Sequence, residues 1–170
     1  GRRRAEQTLT SLARGIAGKN GRDFFASLVL HLASGAKADY ALIGELKEGR
    51  DAVRTLAVSA TGEIIPNFDY PLEGTPCEQV TNKNFCTYTE GVQEKFPKDK
   101  ILVDMKVQTY VGTPLFDSKG KVQGLLVAMW RRRPANMRVA ESMVQIFAVR
   151  AAAELERKQA EETAQKLSEV

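Results

Sequence analysis

Histidine is almost missing from this 170-residue sequence, with His31 its sole example, and cysteine is limited to Cys77 and Cys86. One histidine and two cysteines nine positions apart cannot supply the clustered ligands of a structural zinc site or a disulfide framework. His31 sits in a helical stretch and reads as a packed or surface side chain, so no metal site is expected. No apolar run approaches the roughly 20 residues that cross a bilayer. The charged start, Gly1-Arg2-Arg3-Arg4-Ala5-Glu6, has no secretory pattern. Also missing are a glycine-rich phosphate loop, a nucleophile elbow and paired histidines, so no residue is nominated as catalytic.

What is present fits one packed domain: 43% hydrophobic and 27% charged residues. The net charge of +4 is uneven, with Arg2-Arg3-Arg4 and Arg131-Arg132-Arg133 as clusters. Neither cluster is interleaved with aromatics or set on a reading helix, so both read as solvated surface and no direct nucleic-acid partner is expected. The sparse cysteines suit a reducing cytoplasm. The chain opens on Gly1 without Met, which reads as a segment of a longer protein.

Helical spacing appears first at Ala5, Leu9, Leu12 and Ile16, before the break Gly18-Lys19-Asn20-Gly21. A second helix is predicted from Arg22 to about Gly35, its stripe formed by Phe24, Phe25, Leu28, Leu32 and Ala36, with Gly35 ending it. From Asp39 the period becomes two, giving one strand over Tyr40–Leu46 and another over Val53–Ala60. Pro66 falls inside the next extended run, Ile64–Leu72, and marks it as an edge strand or a broken one. The middle, Glu73–Lys106, lacks a clean period; short helices are predicted near Pro76–Thr81 and Lys98–Met105, with a short strand near Phe85–Tyr88. Irregular, aromatic-bearing connections on a rigid sheet are where binding tends to sit.

Gln108–Phe116 and Lys121–Trp130 flank the turn Asp117-Ser118-Lys119-Gly120 and predict a hairpin. Pairing Phe116 with Lys121 would set Tyr110 opposite Val127 and Gly112 opposite Leu125. Tyr110, Gly112, Leu125, Val127 and Met129 then share one face, and Val111, Thr113, Leu115, Val122, Leu126 and Ala128 the other. Both faces are apolar, so the sheet must be covered on both sides. The last segment, from about Ala135, has neither Gly nor Pro. Val139, Met143, Ile146, Phe147 and Leu155 are expected on the sheet. Ile146, Ala153, Ala160 and Leu167 recur every seven residues, with Met143, Arg150, Arg157 and Ala164 as half-polar companions, a weak heptad seam that points to a parallel homodimer contact or to a solvated tail.

Two segments carry a family resemblance. Tyr70-Pro71-Leu72-Glu73-Gly74-Thr75-Pro76-Cys77-Glu78-Gln79-Val80 resembles the lead into the short helix over the ligand pocket of GAF domains, relatives of the PAS fold. Val111-Gly112-Thr113-Pro114-Leu115-Phe116-Asp117 with Gly120-Lys121-Val122-Gln123-Gly124-Leu125-Leu126 is similar to that family's hairpin. The resemblance covers about Phe24 to Leu155. It implies an α+β fold: a central antiparallel sheet of five or six strands, flanked by N- and C-terminal helices, with a long C-terminal signalling helix. The implied domains are a linker helix over residues 1–19, a GAF domain over 20–155 and a helical extension over 156–170.

In that family small molecules bind between the sheet and the irregular middle. The resemblance thus nominates Phe68, Cys77, Val80, Phe85, Cys86, Tyr88, Met105 and Tyr110 as pocket lining, with Tyr40 and Met129 behind them; the plain alternative is that they fill the core. The ligand stays unidentified. A bilin would need a reactive cysteine beside a histidine, and haem an axial histidine; neither is expected. Asn82-Lys83-Asn84-Phe85 echoes only the start of the cyclic-nucleotide pattern, and no spacing suggests nonhaem iron. The family's free-methionine sulfoxide reductases typically carry three cysteines, against two here. The resemblance therefore implies a non-enzymatic, cytoplasmic sensory module of a bacterial signalling protein. Its output would be a histidine kinase of a two-component system, a GGDEF diguanylate cyclase or a transcription factor, biased through the exit helix of a dimer. The alternatives are a ligand-free dimerisation module and the redox enzyme.

Overall fold

A computed structural model describes residues 21–169; the helix expected over Ala5–Ile16 lies outside the described residues. Helix α1, Gly21–Ala36, buries Phe24, Phe25, Leu28, Leu32 and Ala36 as one stripe. It ends one residue beyond Gly35. Lys37 takes the left-handed conformation (φ 55), and the amide of Ala38 donates to the carbonyl of Ala33 at 2.8 Å, a Schellman closure made without glycine. The Trp130 indole caps the same end by donating to the Ala36 carbonyl at 3.1 Å.

Strands β1 (Tyr40–Leu46) and β2 (Ala52–Ala60) follow as a hairpin. The run holding Pro66 splits into β3 (Glu63–Ile65) and β4 (Asp69–Pro71), which pair separately with β2. Both halves of the proline expectation are realised: an edge, and a break. The split raises the sheet to seven strands in place of five or six, in the order β3-β2-β1-β7-β6-β5 with β4 beside β2. The middle contributes α2 (Pro76–Thr81), β5 (Cys86–Tyr88), a one-turn α3 (Val92–Lys95) that the sequence pattern did not reveal, and α4 (Lys100–Asp104). Then come β6 (Thr109–Phe116), β7 (Val122–Trp130) and the 32-residue α5 (Met137–Ser168).

The β6–β7 hairpin keeps its predicted faces but shifts its register by two residues. Tyr110 pairs with Met129 and Gly112 with Val127. The loop is tighter than four residues, because Asp117 pairs with Lys121 and Gly120 turns at φ 81, and an irregularity at Leu115/Phe116 adds the second step. Because side chains alternate with period two, the even shift leaves the faces of Val111, Leu115, Leu126 and Ala128 and of Tyr110, Leu125, Val127 and Met129 intact. Val122, expected with the first set, lies on the turn side of the irregularity, where the shift is a single residue, and pairs with Phe116.

Two cores result. On one face α1 and α5 cover Ala41, Ile43, Val111, Leu115, Leu126 and Ala128. On the other the middle segment covers Tyr40, Leu42, Tyr110, Leu125, Val127 and Met129. Within α5, Met143, Phe147, Ala151 and Leu155 are buried, whereas Val139 and Ile146, expected on the sheet, are 36% and 49% exposed. At 100° per residue Ile146 lies well over 90° from the centre of the buried stripe, so it cannot share that face. Gly124 brings α5 and the strands together: a Cβ there would collide with the Gly44 carbonyl and press on Leu155.

Candidate functional site

The face opposite the long helices holds the expected pocket region. Period-two alternation puts Phe68 and Tyr70 on one side of the chain entering and forming β4, and Cys86 and Tyr88 on the Tyr110 side of β5 through the pairs Cys86↔Gly112 and Tyr88↔Tyr110. The same alternation sends Phe85 to the far face, where it packs against the α1/α5 core; Phe85 is therefore not part of this region. Cys77, Val80, Tyr110, Tyr40 and Met129 are buried together here, with Phe68, Cys86, Tyr88 and Met105 packed against them.

Most of the volume between these side chains is filled. Tyr88 stands edge-on to Phe96 at 5.3 Å and to Tyr110 at 5.9 Å. The space above Gly112 is occupied by the Tyr110 ring and Val80, so this glycine serves close packing of α2 on the sheet. One apolar cavity of about 30 Å³ remains, and Phe68, Cys77, Met105, Tyr110 and Met129 are among its lining. That volume suits about two water-sized atoms and is far below a drug-sized site. Tyr40, Val80, Cys86 and Tyr88 pack in the same core without reaching it.

Of the lining residues that the sequence reading did not nominate, Tyr70 and Asp99 are the polar ones. Tyr70 donates to Cys77 Sγ at 3.3 Å, and Cys77 Sγ and Tyr110 Oη share a hydrogen bond of 3.1 Å. Asp99 lines the cavity and caps α4, accepting from the amides of Ile101 and Leu102 at 3.1 and 3.3 Å. Both had a local signal. Tyr70 lies two residues from Phe68 in an extended run, and Asp99 stands just before an apolar pair, where an N-cap belongs. Burial drives the Cys77 thiol up to about 11 against the pull of the two tyrosine hydroxyls, and it raises both tyrosines well above 10. Cys77 is thus a neutral thiol near pH 7, and burial raises Cys86 as well. Neither resembles an activated thiolate. Among the described residues no group of three or more His, Cys, Asp or Glu side chains is placed to hold a metal ion.

The site connects to both ends of the domain. Tyr40 donates to the Met105 carbonyl, at the end of α4, at 3.1 Å, and Arg131 donates to Tyr40 Oη at 2.7 and 3.0 Å. Arg131 therefore ties β1 to the end of α4 and is not merely solvated, as its cluster had implied. On the other side β6 runs from Tyr110 to the hairpin turn. There the Ser118 amide and hydroxyl donate to the Glu156 carboxylate of α5 at 3.0 and 2.6 Å.

No protein-family model matches the sequence, and no curated protein matches it either. Solved structures do. The GAF domain of a phosphoenolpyruvate-protein phosphotransferase from Acinetobacter superposes with a TM-score of 0.72 at 16% identity, over 94% of this chain and 97% of that one. Its counterpart from Coxiella burnetii gives 0.76 at 14% identity, over 94% and 96%. The chromophore-binding domain of a Stigmatella aurantiaca phytochrome gives 0.67 at 10% identity, over 88% of this chain and 59% of that one. The chain has the fold of a GAF domain. At these identities the likeness is one of fold, and function must be argued from the site.

Proposed function

We propose that this chain is a regulatory GAF module whose signal enters at the cavity beneath α2 and α4 and leaves through α5. One observation carries the reading: β6 holds Tyr110 in the cavity wall and, at its other end, leads into the turn whose Ser118 is clamped to Glu156. A change of packing at the cavity then has a short, rigid route to the exit helix. In this reading residues 20–155 are the sensory body and residues 156–170 extend the output helix towards a domain outside these residues, such as a kinase or cyclase. The last buried α5 side chain is Leu155, which supports that division. Ile146, Ala153, Ala160 and Leu167, all exposed on α5, would form the homodimer seam. Val149, 72% exposed, is a better companion than Met143, which is in the core.

The second reading, a ligand-free dimerisation module, is favoured by the small size of the cavity and the edge-on aromatic packing around it. The redox-enzyme reading draws no support from Cys77, whose thiol is held neutral. Native mass spectrometry, gentle and then fully denaturing, separates the first two. A mass excess that vanishes on denaturation supports the sensor. Dimer mass with no excess, from protein that also resists ligand uptake, supports the dimerisation module.

A further inference from the structure

The chemistry of the cavity wall narrows what can enter it. Leu42, Val58, Leu102, Val127 and Met129 form much of that wall, and the polar side chains that share it are already bonded. Tyr70 donates to Cys77 Sγ, which shares a further hydrogen bond with Tyr110 Oη. Asp99 accepts from the two α4 amides that it caps, and no basic side chain lines the cavity. The buried side-chain polar atoms left without a partner among the described residues belong to Ser59, Thr87 and Gln123, none of them in the wall. A buried water needs about three polar partners, and the wall has no side-chain group left in need of one. A polar or charged solute would give up its own hydrogen bonds on entering. An apolar solute gives up nothing and gains dispersion contacts, the polarisable thioethers of Met105 and Met129 among them.

We propose that the cavity is a dry site for a neutral apolar molecule the size of a dissolved diatomic gas. This rests on reading the cavity as the regulatory site. The volume of about 30 Å³ sets the limit at about two heavy atoms. Phe68, Ile101 and Met105 are only half-buried and form the side from which such a molecule enters. Once inside, it presses on Tyr110, where β6 begins its run to Ser118.

Xenon under pressure is the probe, followed by NMR of the methyl groups of the full 170-residue chain. Shifts that grow with xenon pressure are expected at Met105, Met129 and Val127, with none there from helium at equal pressure or from methanol at equal concentration. Val127→Ile adds one methyl group to the wall and should abolish those shifts, because the added volume takes up the cavity. Val58→Ile fills the same space from β2 and serves if Val127→Ile folds poorly. Equal shifts from methanol, unchanged xenon shifts in either folded variant, xenon shifts spread evenly over the chain, or no shift at all would each overturn the proposal. If xenon fails to enter while the native protein carries another bound molecule, the apolar class is lost and the regulatory site survives. If xenon enters and the Ser118 amide does not respond, the apolar site stands and the route to α5 falls.

Discussion

Lys37 closes α1 at a backbone angle that glycine adopts freely, and its side chain makes no hydrogen bond or ion pair among the described residues. The left-handed conformation costs a non-glycine residue roughly 1 kcal/mol. Lys37→Gly should therefore raise stability by about that amount in urea denaturation; an unchanged or lower midpoint would show that the lysine is stabilised in some other way. Cys77 makes the opposite kind of statement. Its folded thiol titrates near 11 against 9.0 when unperturbed, so the folded state keeps a proton that the unfolded chain gives up. The stability this supplies is whole below about pH 9 and is lost as pH climbs towards 11, roughly 3 kcal/mol in all. Tyr70 and Tyr110 shift in the same direction and add to the loss. Between about pH 8 and pH 10.5 the wild type should lose more stability than Cys77→Ala does. Equal losses in the two proteins would remove Cys77 from the account. Tyr70 and Asp99 had local sequence signals, but that they face Cys77 depends on three separate segments meeting, which no local pattern encodes.

Elements were legible where their period was clean. The α1 stripe, the alternation of β1 and β2, and the faces of the β6–β7 hairpin follow from spacing, because burial of one face selects one register parity. The register itself did not follow, since a tighter loop and a bulge cost little and leave no pattern. Phe85 shows the limit plainly: next to Cys86 in sequence, it is on the opposite side of the sheet. The joint between hairpin and exit helix is the element-scale device of the proposed signal route. Glu156→Ala removes the acceptor for the Ser118 amide and hydroxyl and should cost roughly 1 kcal/mol. Amide exchange should rise in the turn and in α5 beyond Leu155, while β1 and β7 stay protected. Exchange that rises uniformly over the domain would argue against a local clamp.

For the whole molecule the open question is what covers the outer face of α5. Val139, Ile146, Val149 and Leu167 are 36%, 49%, 72% and 71% exposed along one helix. A highly charged helix extending past its core is marginal alone in water, so a second copy is the expected cover. Light scattering should report a dimer, and Ile146→Glu with Leu167→Glu should give a monomer of nearly unchanged thermal stability, since neither residue is in the core. A wild type that stays monomeric at high concentration would leave α5 as a solvated extension.

The sequence by itself determined the class of fold, the elements with regular period, the need to cover both sheet faces, and the irregular segment where a site belongs. Those properties depend on near neighbours along the chain and on the cost of exposing apolar surface. Only the tertiary structure decided that the pocket residues nearly close on one another, that Phe85 leaves them, that Asp99 and Tyr70 join them, and that Ile146 faces away from the sheet. Each of these is set by how distant segments pack at full density, where a fraction of a helical turn or one step along a strand moves a side chain from one core to the other.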